Sequence, residues 1–120
     1  MALKRLAKAA RAFIKKYPFV KSSDGACGRC LCGSRDFIRE QKLGRILYLS
    51  GSRLRFPNRN PFYKNYDDPD LALFHAVVEY KGLVLDISRR QFQPRCRMPF
   101  IQPLALVRKQ WHHVTFRLKD

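Results

Sequence analysis

One hundred and twenty residues fit one domain, long enough to bury a core without a disulfide framework, so a single domain spanning 1–120 is expected. Twenty-five Lys and Arg against nine Asp and Glu give a formal charge of +16, while 46% hydrophobic and 12% aromatic residues exclude a disordered basic tail. Such a chain attracts polyanions, nucleic acid or anionic lipid among them, or carries the charge for solubility alone.

No apolar run approaches the roughly 20 residues that cross a bilayer, and no uninterrupted apolar core of a secretory signal stands near Met1, which predicts a soluble protein. Cys27, Cys30 and Cys32 crowd together and Cys96 stands far away, unlike the spread spacing of a secreted scaffold. Thiol chemistry or metal binding in a reducing, cytoplasmic compartment is expected instead.

From Leu3 to Tyr17, apolar Leu3, Leu6, Ala10, Phe13, Ile14 and Tyr17 recur at helical spacing among Lys4, Arg5, Lys8, Arg11, Lys15 and Lys16. The pattern predicts a basic amphipathic helix over 1–17, ending before Pro18 and packing on the domain, although an anionic membrane surface or a transit peptide uses the same pattern. A second helix is expected from Cys30 to Lys42, with Cys30, Ser34, Phe37, Ile38 and Gln41 on one face and Gly44 as a stop. Arg45–Ser50 reads as a short strand, and the Pro- and Asn-rich stretch from Gly51 to Pro69 as a long loop. Leu73–Tyr80 and Leu83–Ser88 are strand-like runs around Lys81-Gly82, a two-residue hairpin signal. A segment punctuated by Pro94, Pro99 and Pro103 follows, then a final strand from His113 to Leu118.

A turn on Lys81-Gly82 fixes the register. Tyr80 faces Leu83, Glu79 faces Val84 and Val77 faces Asp86, so His75 and Asp86 share a face as diagonal neighbours. A slip of one residue would separate them. A carboxylate beside an imidazole fixes its tautomer and stabilises the imidazolium. Cys30, at a helix start, feels the positive end of the helix dipole, and an imidazolium beside it would favour thiolate. A histidine in an apolar strand is more commonly a core residue than a functional one.

The residues of GRCLCGSRDF, with Gly28, Cys30, Ser34 and Phe37, resemble the start of the nucleophile helix in small papain-like cysteine hydrolase domains. FHAVVEYKGLVLDISRRQF resembles their histidine hairpin: a strand opening with His, a turn, a strand ending in Asp and an Arg-Gln-Phe signature. The resemblance spans about Ala26 to Pro103 in two blocks joined by a divergent middle. It implies an α+β, minimal papain-like fold, with N-terminal helices on a small antiparallel sheet and the nucleophile at a helix N-terminus. It further implies Cys30 as nucleophile, His75 as general base and Asp86 as orienter, with Arg90, Gln91 and Phe92 as a signature of unassigned role. In the crowded CGRCLC run, Cys27 and Cys32 are alternative nucleophiles.

Members of that group are peptidases, glutamine deamidases and acyltransferases, many of them toxin domains of bacterial polymorphic or contact-dependent systems. The resemblance thus implies an amide-bearing or protein substrate, a cognate immunity protein as partner, delivery into a target cell and no cofactor. No upstream side-chain oxyanion donor is identifiable, which leaves the backbone N–H groups near Cys30. Two other readings stay open. Cys27, Cys30 and Cys32 with Cys96, His112 or His113 suggest a zinc or iron-sulfur site, with basic residues gripping phosphate and Tyr63, Tyr66 and Trp111 stacking on bases. A metal-independent nuclease would use His75, His112 or His113 as acid and base. Asp67, Asp68 and Asp70 read as a solvated turn around Pro69.

Overall fold

The computed structural model describes residues 1–22, 26, 29–53 and 74–117, with Phe74 described by its backbone alone. Cys27, Gly28, Tyr63, Tyr66, Asp67, Asp68, Asp70 and all but the first residues of the expected Gly51–Pro69 loop lie outside the described residues.

The first helix, α1, runs from Ala2 to Lys16 and buries Leu6, Ala10, Phe13 and Ile14 of the expected stripe together with Ala9, while Leu3 is 55% exposed and Tyr17 is the half-buried C-cap. Pro18 forces its predecessor out of the helical region, and Tyr17 sits at φ −123, ψ 83 before a 3₁₀ turn over Pro18–Lys21. The second helix, α2, runs from Cys30 to Gln41 and turns Gly33, Ser34 and Phe37 inward. Lys42 at φ 55 closes it in the left-handed conformation.

A five-stranded antiparallel sheet follows: β1 (Arg45–Ser52), β2 (Phe74–Tyr80), β3 (Leu83–Leu85), β4 (Ile101–Pro103) and β5 (Trp111–Thr115), in the spatial order β4-β3-β2-β1-β5. The fold class is therefore α+β, as expected. The β2–β3 hairpin turns on Lys81 (φ 50) and Gly82 (φ 82), whose two positive φ angles suit the right-handed twist of the strands. Tyr80 pairs with Leu83, Glu79 with Val84 and Val78 with Leu85, the register expected from the sequence.

Alternation along the strands divides the core in two. Val78, Leu85 and Ile87 face α1 and α2, where Phe13 and Phe37 pack edge to face with ring centroids 5.5 Å apart. Leu47, Leu49, Val77 and Val84 face the other way, against Val107 and Trp111.

The C-terminal third departs from expectation. Strand β3 ends at Leu85 rather than Ser88, because the chain stays with β4: the Asp86 N–H donates to the Phe100 carbonyl at 3.0 Å. A helix absent from the sequence reading, α3, spans Leu104–Gln110 directly after Pro103. Pro103 is the extended N-cap residue of this helix and the last residue of β4, so the chain passes from strand to helix without a loop. Strand β5 consequently begins at Trp111, two residues before the expected His113.

Gly44 makes a close approach to β2 at φ +88; a Cβ there would lie 2.5 Å from Val78 Cγ1 and 3.1 Å from the Glu79 carbonyl oxygen. Gly82, at φ +82, faces open space. Gly44→Ala should cost ~2–4 kcal/mol, from the left-handed backbone plus overpacking, and Gly82→Ala only ~1–2 kcal/mol. Urea denaturation of the two variants checks this, and equal costs would contradict it.

Candidate active site

Three segments distant in sequence meet at one end of the sheet. β2 supplies His75, 1% exposed and paired across β1 with Leu49. The chain leaving β3 supplies Asp86, 4% exposed, whose Oδ2 lies 3.0 Å from His75 Nε2. Helix α2 supplies Cys30 at its first residue, partly buried. One turn later, buried Ser34 donates to the Cys30 carbonyl at 2.5 Å and lies 3.4 Å from the Ala76 carbonyl, tying the helix start to β2. With Nε2 engaged by Asp86, Nδ1 is the ring nitrogen left for the thiol.

The imidazole is held on every side. Trp111 stacks on it at 5.5 Å with planes 12° apart, and Phe92 meets it edge-on at 5.0 Å. Gln91 places Nε2 3.5 Å from Nδ1 and donates to Ser88 Oγ at 3.0 Å. Asp86 Oδ2 also lies 3.7 Å from an Arg89 guanidinium nitrogen. Arg89 is itself buried, donating to Gln93 Oε1 at 2.8 Å and lying 4.3 Å from the centre of the Phe100 ring.

These placements assign the Arg-Gln-Phe signature. Arg90 is a staple, donating to the Cys96 carbonyl at 3.0 Å and the Lys21 carbonyl at 2.7 Å. Gln91 and Phe92 border the histidine. Trp111 and Arg89 were not legible as site residues. Trp111, a base-stacking candidate in the nucleic-acid reading, is 2% exposed and stacks on His75, so it is unavailable for that role.

Burial alone would push His75 down, but the charge and hydrogen bond of Asp86, with a contribution from Cys30, carry it up to about 9. Burial would raise Asp86, yet the charge and hydrogen bond of His75 and the charge of Arg89 hold it below the ordinary carboxylate range. Burial also opposes ionisation of Cys30, and the hydrogen bond and charge of His75 outweigh it, leaving the thiol below its ordinary value. The three groups thus favour thiolate, imidazolium and carboxylate together.

Among the described residues, no group of three or more His, Cys, Asp or Glu side chains is placed to hold a metal ion. Cys32 is exposed, with Sγ 3.7 Å from the Arg29 carbonyl; Cys96 lies with Sγ 3.9 Å from Met98 Sδ; Cys27 is outside the described residues. His112 and His113 lie on β5, half-buried and exposed. Also among the described residues, no helix is long and apolar enough to cross a membrane. Comparison with protein-family models, with curated proteins and with solved structures finds no match for the chain.

The raised pKa of His75 stabilises the fold fully below the unfolded value of ~6.5, and this contribution is lost as pH rises through about 9. The depressed pKa of Asp86 stabilises above ~3.9 and is lost on acidification. The pair should therefore contribute most between about pH 4 and 6.5. Wild type should lose on the order of 3 kcal/mol more than Asp86→Asn between about pH 6 and 10 in denaturant titrations. Parallel losses would show that the pair is not charged in the fold.

Proposed function

We propose that the chain is a papain-like cysteine hydrolase that attacks an amide carbonyl with Cys30, using His75 as general base and acid and Asp86 as its orienter. The observation carrying this reading is the convergence of a helix-start thiol on a buried imidazole whose far nitrogen lies 3.0 Å from a buried carboxylate. The resemblance of both sequence blocks to papain-like domains points the same way, and with it a toxin role, an immunity protein as partner and action in a target cell's cytoplasm.

In the proposed reaction, the Cys30 thiolate adds to the carbonyl carbon, and the oxyanion faces the backbone N–H groups of the first turn of α2. Among the described residues no side chain caps that turn, which leaves its donors and the positive helix end facing negative charge in this mechanism. Nδ1–H of His75 then protonates the departing amine as the C–N bond breaks and a Cys30 thioester forms. Neutral His75 next takes a proton from water, which attacks the thioester and releases the acid. A peptide bond makes this a peptidase and a glutamine side chain a deamidase; an amine in place of water makes it a transferase. Thiolate and imidazolium coexist from below the ordinary thiol range to about pH 9, the window in which acylation should be fastest.

Acid-quenched mass analysis with an activated acyl ester tests the reading. Wild type should gain one acyl group at Cys30, Cys30→Ala should gain none, and His75→Ala should react about 10²–10⁴-fold more slowly. Equal acylation of Cys30, Cys32 and Cys96 would contradict it.

A second reading, polyanion binding, rests on the outer face of α1. Lys4, Arg5, Lys8, Arg11 and Lys15 are exposed there, the helix has no acidic residue, and the described ion pair on it is Lys16 with Glu40 at 2.5 Å. The apolar face of α1 is spent on the core, so insertion into lipid has little to use. Large aromatic anchors typical of a protein interface are missing from the exposed stripe. Phosphate backbone contacts suit what remains. Replacing Lys4, Lys8, Arg11 and Lys15 together by Glu should abolish binding to single- and double-stranded oligonucleotides and flatten its salt dependence. Unchanged affinity would remove this reading.

A further inference from the structure

Asp86 Oδ2 faces two buried cations, and one of them gives up its charge during the proposed reaction. His75 Nε2 lies 3.0 Å from Oδ2, and an Arg89 guanidinium nitrogen lies 3.7 Å from the same oxygen. Oδ1 is buried with no hydrogen-bond partner among the described residues, so the two cations converge on one oxygen. The ring is charged before it protonates the departing amine and neutral afterwards, and the mechanism above gives Arg89 no task.

Burial pushes the Asp86 pKa up, and the charge and hydrogen bond of His75 do most to hold it down; both of these weaken once the ring is neutral. A buried carboxylate without a cation is strongly disfavoured. Arg89 supplies the next charge, ahead of a smaller contribution from the Ser88 backbone. Burial works against the guanidinium charge and Asp86 supports it, and an arginine stays cationic throughout the range in which a histidine titrates. Its anchors lie away from the ring: Nε donates to Gln93 Oε1 at 2.8 Å, and the guanidinium lies 4.3 Å from the centre of the Phe100 ring. The nearby Cys96 thiol is pushed up by burial, which keeps it from acting as a competing anion. At the ring itself, the other ionisable group among the described residues is Cys30 from α2; Leu49 of β1, Trp111 of β5, Gln91 and Phe92 carry no charge.

We propose that Arg89 is a positioning residue that acts on His75 through Asp86, as the permanent counter-ion that keeps the carboxylate ionised and in place while the ring is neutral. Because it stabilises the state that remains after the ring proton has left, it makes that proton easier to release than a histidine and an aspartate alone would allow. The departing amine takes the proton in the first half of the reaction, and the neutral ring is then needed for the attack of water. This use in catalysis rests on the hydrolase reading.

The test is an NMR titration of the His75 ring without substrate, its signals identified by their loss in His75→Ala. Arg89→Met should raise the His75 midpoint by about one pH unit, and Arg89→Lys, which keeps a cation, by less. Arg89→Gln, neutral but able to donate hydrogen bonds, should raise it as well and serves if the methionine variant fails to fold. In an Asp86→Asn background, where no carboxylate needs a counter-ion, Arg89→Met should move the midpoint far less. A merely structural role would leave the midpoint in place in the folded variants. That result, a fall, or a rise of the same size in the Asp86→Asn background overturns the proposal. Acylation of Cys30 by the activated ester is read separately. With the midpoint raised, deacylation near pH 7, which needs the neutral ring, should slow about tenfold and acylation by less. A raised midpoint with no acylation would uphold Arg89 as counter-ion and refute the hydrolase; acylation with an unmoved midpoint would do the reverse.

Discussion

The buried contact between His75 and Asp86 organises this end of the molecule. Two ionisable groups, 1% and 4% exposed, cost several kcal/mol each to remove from water unless each charge finds a partner and its remaining polar atoms are satisfied. The neighbouring elements meet that demand for the charges and for Asp86 Oδ2, while Asp86 Oδ1 is buried with no hydrogen-bond partner among the described residues. Arg89 brings a second cation to the carboxylate, Trp111 and Phe92 enclose the ring, and Ser88 and Gln91 surround Nδ1. Arg89 in turn lies over Phe100, from the segment that leads into β4. The departure of the chain from β2 after Leu85 aims Asp86 at the histidine while its backbone pairs with Phe100.

The lowered pKa of the Cys30 thiol is secondary to that pair. A thiol at a helix start gains from the dipole, but burial works against its ionisation, and the imidazolium supplies the compensating charge. Because Asp86 keeps His75 protonated, the carboxylate acts on the thiol through the ring. Its own direct repulsion of a thiolate is the smaller effect. The Ser34 hydroxyl fixes the distance over which this operates, joining the start of α2 to the backbone of β2. The basic surface of α1 stands apart from this chemistry, on the outer side of the helix layer.

Legibility in the sequence followed the range of the interactions. Lys81-Gly82 is a local turn signal, and period-two alternation carried its register six residues outward to bring His75 and Asp86 to one face. Pro18 and the apolar stripe bounded α1 for equally local reasons. By contrast, Trp111 reaches His75 only because β5 adds to the far side of β1, a strand order that no local pattern encodes. Arg89 received no role from the sequence, because what defines it is its enclosure by Asp86 and Phe100. Helix α3 was hidden by the prolines before it, because its N-cap is Pro103 and not one of the Ser, Thr, Asn or Asp residues that signal a helix start. The tasks of Arg90, Gln91 and Phe92 depend on contacts with Lys21, Cys96 and His75 and could not be divided among them from their order alone.

The most direct test of an imidazolium-activated thiol is the rate of Cys30 alkylation by iodoacetamide across pH, in wild type and His75→Ala, with the modified residue located by mass spectrometry. Half-maximal reactivity in wild type should fall clearly below the ordinary thiol value of ~8.5 and move above it in His75→Ala, where burial acts unopposed. A wild-type midpoint at or above that value, or one that His75→Ala leaves in place, would contradict the coupling of thiol, imidazole and carboxylate.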